Sequence, residues 1–406
     1  MDDRVRQTAE SIIGTLRHAG HTAYLAGGCV RDMLLGQPPK DYDVVTDARP
    51  NDIRGLFRRT ELVGAKFGVV IVRLHGVMTE VATFRADGTY SDGRHPDEVV
   101  FGGEIEDAHR RDFTVNAIFY DPADHRVIDH VGGRADLDAR LIRTVGGPDR
   151  RFAEDHLRLL RAVRFAARLG FDIHADTVAA IARHADRLPT ISAERIREEL
   201  KLILTHPTRA DGWGWLTSTG LANHLVAGLN WPAPERARIA ARLASIEGGI
   251  GFAPALAVVL RDRSPADAQS VCRSLRCTND EVRSVAWLLR SLPRVHDPRS
   301  LELADLKMLM ADDDFDDLAE LLRGDLLADG AGLGPWDALM ARARAIPRDA
   351  VAPAPFITGE DVLARGVPAG PDIGRILDAV YRSQLNESVR DRSAAMVLMD
   401  ERIRSK

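Results

Sequence analysis

Two short motifs near the start of the chain carry the residue types that phosphoryl transfer needs. The first is Leu25-Ala26-Gly27-Gly28-Cys29-Val30-Arg31-Asp32, and the second, after a short spacer, is Asp41-Tyr42-Asp43. A glycine pair between a strand and a helix lets backbone N–H groups come close to a phosphate, and Arg31 behind it can neutralise a phosphate oxygen. Asp41 and Asp43 lie two apart on a predicted strand. On that geometry both carboxylates project from one face, spaced to share hard divalent cations in a two-metal phosphoryl transfer. Either motif alone marks a turn or a solvated acid pair more often than a site, whereas the two in this order point to chemistry.

Further along, Glu80 interrupts the apolar run Thr79-Glu80-Val81-Ala82-Thr83-Phe84-Arg85. It is a third candidate carboxylate, since an acid within an apolar strand needs a cation, a partner or solvent. The segment Arg110-Arg111-Asp112-Phe113-Thr114-Val115-Asn116 offers basic groups for phosphates, with Asp112 and Asn116 four apart and able to face a ribose. The plainer alternative is a helix cap with surface arginines. In Glu154-Asp155-His156-Leu157-Arg158 the spacing predicts Asp155 and Arg158 one turn apart on a helix, forming either an ion pair or a joint recognition surface. As a surface, the pair suits cytosine and adenine, whose exocyclic amino group sits beside a ring-nitrogen acceptor. Each contact would contribute about 1–3 kcal/mol of discrimination.

These residues need a scaffold, and the pattern around them describes one. Six runs rich in Val, Ile, Tyr, Phe or Thr predict strands: Thr22 to Ala26, Tyr42 to Thr46, Val69 to Leu74, Val77 to Phe84, Ala117 to Tyr120 and Val127 to Asp129. His75-Gly76 predicts a tight hairpin. After Gly146-Gly147-Pro148 the apolar spacing becomes helical through Phe152, Leu157, Leu160, Val163 and Phe165. A helix is predicted to open at Ser192, with a break at His206-Pro207 and a linker over the proline-rich run Pro347 to Pro355. The fold class is therefore α+β. A mixed strand-and-helix unit over residues 1–146 is followed by helical units over 147–206, 207–346 and 347–406.

Composition narrows the class further. At 406 residues the chain exceeds a single core, and no apolar stretch reaches the 18 or so residues of a membrane span. The N-terminus lacks the basic and apolar run of a secretory signal, so the expected location is cytoplasmic. Cys29, Cys272 and Cys277 fit neither a disulfide framework nor a zinc cluster. The net charge of −5 hides an uneven distribution: nine Arg face five acids from Val131 to Gly170, whereas two basic residues face ten acids from Leu301 to Gly330. An RNA backbone would follow the first segment and avoid the second.

Taken together, GGxVRD with DxD, the Glu80 to Arg85 stretch, RRDFTxN, EDxxR and Ser192-Ala193-Glu194-Arg195-Ile196-Arg197-Glu198-Glu199-Leu200 resemble class II CCA-adding tRNA nucleotidyltransferases. The resemblance covers residues from about 20 to 205, in order. Ile357-Thr358-Gly359-Glu360-Asp361 through Gly374 is similar to that family's tRNA-contacting tail. The resemblance implies a polymerase-β-like catalytic head with a small mixed sheet over 1–146, followed by an all-helical neck over 147–206, body over 207–346 and tail over 347–406. It implies Mg²⁺ as cofactor, ATP, CTP and tRNA as partners, and no obligate protein partner or membrane. It also implies roles: Asp41 and Asp43 as metal ligands with Glu80 as a further catalytic carboxylate, Gly27, Gly28, Arg31, Arg111 and Asp112 toward the nucleotide, and Asp155 with Arg158 as a protein template. Arg161 and Arg164, further along the helical face of Arg158, would border the incoming nucleotide. Residues Ala86 to Gly103, with Asp87, Tyr90, Asp92, Arg94 and Pro96, resemble a flexible loop that CC-only members lack. The expectation is addition of the whole CCA, with terminal-A addition, bacterial polyadenylation and a catalytically silent tRNA-binding protein as alternatives. No His-Asp pair with companion histidines follows residue 205, so no phosphohydrolase domain is expected.

Overall fold

The computed structural model describes residues 3–62, 68–87, 99–226 and 229–405. Most of the loop from Ala86 to Gly103 lies outside them. The chain divides into two compact units, Met1–Trp231 and Pro232–Lys406.

In the first unit, strands β1 (Ala23–Ala26), β2 (Asp43–Thr46), β3 (Thr60–Leu62), β4 (Val69–Leu74) and β5 (Val77–Thr83) come first. A short ladder of β6 (Arg85–Asp87) and β7 (Val99–Phe101) follows, then β8 (Ile118–Asp121) and β9 (Arg126–Asp129). The main sheet runs β3-β4-β5-β2-β1-β8-β9 and is mixed, because β2 pairs with β5 in parallel and its other neighbours are antiparallel. All six predicted strands are present. The short β3, β6 and β7 were missed, since three residues cannot display an alternating pattern.

Side-chain alternation builds two cores. Leu25, Val44, Val70, Val72 and Val81 pack beneath Ile12, Ile13 and Leu16 of α1 (Asp3–His18). On the other face Tyr24, Ala26, Val45, Phe84 and Phe119 cluster, with the Tyr24, Phe84 and Phe119 ring centroids 6.1–6.3 Å apart. The β4–β5 hairpin turns at His75 and Gly76, with φ of 51° and 79°. Two successive positive φ values match the twist of the flanking strands, so His75 accepts a left-handed conformation beside the glycine.

The sheet is followed or interrupted by α2 (Gly28–Leu34), α3 (Pro50–Leu56), α4 (Glu104–Arg110) and α5 (Gly133–Asp138), and then by α6 (Pro148–Glu154), α7 (Arg158–Leu169), α8 (Ala175–His184), α9 (Ala193–Leu204) and α10 (Arg209–Ser218). The single helix expected after Gly147 is instead two. Asp155 is extended (φ −151°, ψ 106°), and its Oδ1 accepts from the Leu157 N–H at 3.0 Å, so it ends α6 and closes a side-chain turn before α7. The break at His206-Pro207 falls where expected, but α10 packs back onto α7 and α9, and its Trp213 stacks edge-on against Trp231 with centroids 5.5 Å apart. The compact division falls at Trp231.

The second unit contains α11 (Ala233–Ser245), α12 (Phe252–Val259), α13 (Pro265–Ser274), α14 (Asn279–Val295), α15 (Leu303–Met310), α16 (Phe315–Ala328), α17 (Gly334–Arg344), α18 (Arg348–Val351), α19 (Gly359–Leu363), α20 (Pro371–Leu385) and α21 (Arg392–Arg404). The proline-rich run thus holds the short helix α18. The last three helices share a core of Ile357, Val362, Ile376, Val380 and Met399. They are tied back to α15, where the buried Lys307 ammonium meets Glu387 at 3.0 Å and Asn386 Oδ1 accepts from the Ala304 N–H at 2.7 Å. Among the described residues no helix is long and apolar enough to cross a membrane, and the three cysteines are free thiols.

Candidate nucleotidyl-transfer site

A cleft of about 490 Å³ opens within the first unit. Of the residues predicted for the site, Gly27, Gly28, Arg31, Asp43, Arg111, Asp112, Asp155, Arg158 and Arg161 line it. Arg110, Asn116, Leu157, Phe165 and Arg195 join them. Six guanidinium groups thus face three carboxylates, a balance suited to a polyanion such as a triphosphate. Its size is that of a small-molecule site.

At one end stands Asp43, with Asp41 and Glu80 close enough to act on it but outside the residues that line the cleft. Strand β2 begins at Asp43, so Asp41 precedes the strand and is exposed, whereas Asp43 is half-buried. The strict same-strand geometry expected for the pair is corrected to that extent. Asp43 pairs with Ala26, on the sheet face that holds Tyr24, Val45 and Phe119. Because Val44 is in register with Val81 of the parallel neighbour β5, Glu80 stands beside Asp43, exposed to solvent. Burial pushes the Asp43 carboxyl up to about 6; Asp41 and Glu80 add to the rise, and Arg111 opposes it. Among the described residues no three His, Cys, Asp or Glu side chains converge on one point to hold a metal by themselves. Two carboxylates supplemented by substrate phosphates and water are nevertheless a usual Mg²⁺ set.

The glycines and arginines form the floor. Gly27 has a φ of 77°, and a Cβ there would sit 3.2 Å from Arg111 Nη1. Only glycine combines that conformation with the close approach of Arg111. Arg111 is aimed by Asp107, which accepts from its Nε at 3.2 Å and its Nη2 at 3.0 Å, while its Nη1 donates to the Asn116 carbonyl at 3.1 Å. Arg110 is held by the other oxygen of Asp107 at 2.6 Å. Of the two, Arg111 is the one against Gly27 and within the field of Asp43.

Arg31 is also pre-set, donating to Asp32 Oδ1 and, at 2.7 Å, to Asn116 Oδ1. Asn116 Nδ2 donates onward to Asp112 Oδ1 at 3.3 Å, and Asp112 Oδ2 accepts from Arg161 Nη2 at 2.5 Å. Burial alone would raise the Asp112 carboxyl, but the charge and hydrogen bonds of Arg161 outweigh it, with help from the Phe113 N–H and Asn116, and hold it at about 2. Asp112 is therefore the residue that fixes Arg161.

At the far end Asp155 and Arg158, expected one turn apart on one helix, are separated by the helix break and do not pair with each other, so of the two readings the ion pair is excluded. Arg158 Nη1 donates to Glu154 Oε2 at 2.6 Å, and Asp155 Oδ2 accepts from Arg195 Nη2 of α9 at 2.8 Å. Arg164 leaves the cleft lining. It is buried against Glu199, 2.6 Å away, and its guanidinium lies 4.3 Å from the Phe165 ring centroid. Arg31 and Arg161 approach the same ring at 5.5 and 5.3 Å. Sequence reasoning missed Phe165 and Arg195. Arg195 had a signal, since it opens the helix predicted at Ser192, one turn before Glu199 on the same face.

The mixed sheet, the carboxylates at its central strands and the arginine-lined cleft define a nucleotidyltransferase head. Residues 23–143 match the family model "Poly A polymerase head domain", and residues 170–231 match "Probable RNA and SrmB- binding site of polymerase A". The CCA-adding enzyme of Geobacillus thermodenitrificans is 36% identical over 398 residues, covering 95% of this chain and 94% of that one. That of Geobacillus stearothermophilus is 35% identical over 416 residues, covering 98% of both. The crystal structure of the Bacillus stearothermophilus CCA-adding enzyme in complex with CTP superposes with a TM-score of 0.80 at 32% identity, covering 98% of each chain. The chain belongs to the CCA-adding enzyme family of tRNA nucleotidyltransferases.

Proposed function

We propose that this protein completes the 3′ end of tRNA, adding C, C and A from CTP and ATP. In each step the RNA 3′-hydroxyl attacks the α-phosphate, the new phosphodiester forms, and the bond to pyrophosphate breaks. The observation that carries the reading is the single cleft in which Asp43, the Gly27-Gly28 floor, the arginines and Asp155 with Arg158 meet. The names of the relatives, which match nearly the whole chain, favour the full CCA over the terminal A alone.

Mg²⁺ fits the acidic end: Asp43 is crowded by Asp41 and Glu80, and a divalent cation would relieve that repulsion. Asp41 and Asp43 would hold it, with Glu80 alongside. When bound it lowers the pKa of the attacking hydroxyl and stabilises the departing pyrophosphate. Arg31 and Arg111, fixed by Asn116, Asp32 and Asp107, bind the triphosphate without reorganising. Asp155 accepts from the amino group of cytosine or adenine while Arg158 donates to the ring nitrogen; uracil and guanine present the reverse order. The head, neck, body and tail of the sequence reading serve as catalytic, base-selecting and tRNA-gripping parts of a cytoplasmic enzyme.

The test is incubation with Mg²⁺ and labelled CTP or ATP on three RNAs: tRNA ending at the discriminator base, tRNA ending in CC, and an unrelated oligoribonucleotide. The proposal expects CCA on the first and A on the second. Addition of A to the CC-ended tRNA alone would restrict the enzyme to the last step, and long A tracts on the third would make it a polyadenylating enzyme.

A further inference from the structure

We propose that Arg195 sets the base selectivity of this enzyme by holding the Asp155 carboxylate in place. This rests on the reading that Asp155 and Arg158 choose the base. Asp155 stands at a break in the chain, extended between α6 and α7, with its backbone carbonyl accepting from the Arg158 N–H at 3.0 Å. Two donors lock its carboxylate: the Leu157 N–H on Oδ1 at 3.0 Å and Arg195 Nη2 on Oδ2 at 2.8 Å. The first is local, two residues along the chain, so among the described residues Arg195 is the side chain that ties the carboxylate to a distant helix, α9.

Helix α9 is itself anchored one turn later, where buried Glu199 meets buried Arg164 of α7 at 2.6 Å. Arg195 and Glu199 share a face of α9, so the helix grips both sides of the recognition segment. With one bond made by each oxygen, the carboxylate keeps further acceptor capacity on both and has no hydrogen to donate. It therefore accepts from the amino group of cytosine or adenine and repels the carbonyl that uracil or guanine would place there. Arg195 acts through Asp155. It is a positioning residue.

The experiment measures kcat/KM for CTP and UTP on tRNA ending at the discriminator base, and for ATP and GTP on tRNA ending in CC. It compares wild type with Arg195→Lys, Arg195→Met and Asp155→Ala, each checked by thermal melting. Arg195→Met should lower the CTP/UTP and ATP/GTP ratios by roughly 10-fold or more, within the range of one lost base contact. Arg195→Lys should restore much of both ratios, because the contact is a single hydrogen bond and an ammonium can make it. Equal losses for all four nucleotides, or unchanged ratios in Arg195→Met while Asp155→Ala loses selectivity, would overturn the role of Arg195 and leave the base reading standing. Unchanged ratios in Asp155→Ala would bring down the base reading itself. Should Arg195→Met melt below the assay temperature, Arg195→Gln decides by the same ratios.

Discussion

The two ends of the cleft solve opposite electrostatic problems. At the carboxylate end Asp41, Asp43 and Glu80 crowd like charges together, and among the described residues none of them forms an ion pair. At the other end each charged group has a mate: Asp112 with Arg161, Arg158 with Glu154, Asp155 with Arg195. The first end stores repulsion that a cation can relieve, and the second spends its charges on fixing geometry. On the proposed function, a site that recruits a metal and also reads a base without a template would use both arrangements.

The largest expected effect comes from the crowded end. Asp43→Asn or Asp41→Asn should cut the single-turnover rate of CTP addition by roughly 1,000-fold or more, equivalent to about 4 kcal/mol of barrier. Calorimetric CTP affinity without metal should change little, because the triphosphate-facing arginines remain. A loss of less than tenfold would remove these aspartates from the chemistry.

Substitution within the paired end should instead alter selectivity and stability. Arg158→Ala should lower discrimination against UTP and GTP by about 10- to 100-fold, in line with about 1–3 kcal/mol per base contact. Asp112→Asn removes the carboxylate that holds the partly buried Arg161 guanidinium and should cost about 1–3 kcal/mol in a denaturant titration at pH 7.

Opposite pH responses sharpen the contrast. Asp43 is raised to about 6 in the folded state, so it binds a proton there more readily than in the unfolded chain. Without metal its ionisation destabilises the fold above pH 6, and this penalty disappears as pH falls toward 3.8. Asp43→Asn should therefore raise the melting temperature of the metal-free protein at pH 7.5 and leave it unchanged near pH 4. Asp112 is held at about 2, so its contribution is present above 3.8 and is lost as pH falls toward 2. Activity at low Mg²⁺ should decline below pH 6, and added Mg²⁺ should shift that midpoint downward. A midpoint insensitive to metal would break the link.

The smallest effect is expected at the glycine floor. Gly27→Ala places a Cβ at φ 77° and 3.2 Å from Arg111 Nη1, which should raise the nucleotide KM several-fold at nearly constant kcat.

Much of this was legible in the sequence, because alternation and short motifs are local. The six longer strands and the hairpin at His75-Gly76 followed from pattern, whereas the grouping of Arg111 and Asp155 with Gly27, Arg31 and Asp43 followed from the family resemblance, because by themselves those segments read equally as surface ion pairs. What escaped depended on contacts distant in sequence. Arg195 meets Asp155 across 40 residues, and Arg164 is held away from the cleft against Glu199 on α9, 35 residues on. The helix break at Asp155 did have a local cause, an aspartate closing a side-chain turn, but helical apolar spacing on both sides disguised it. Asp41 falls outside β2 because pairing with β1 ends at Asp43, opposite Ala26.

The division of labour is tested most directly by Mn²⁺ binding, followed by electron paramagnetic resonance in the presence of a non-hydrolysable CTP analogue. The account predicts that Asp41→Asn and Asp43→Asn each abolish tight Mn²⁺ binding, while Asp155→Ala retains it. Equal Mn²⁺ affinity in wild type and both aspartate variants would contradict it.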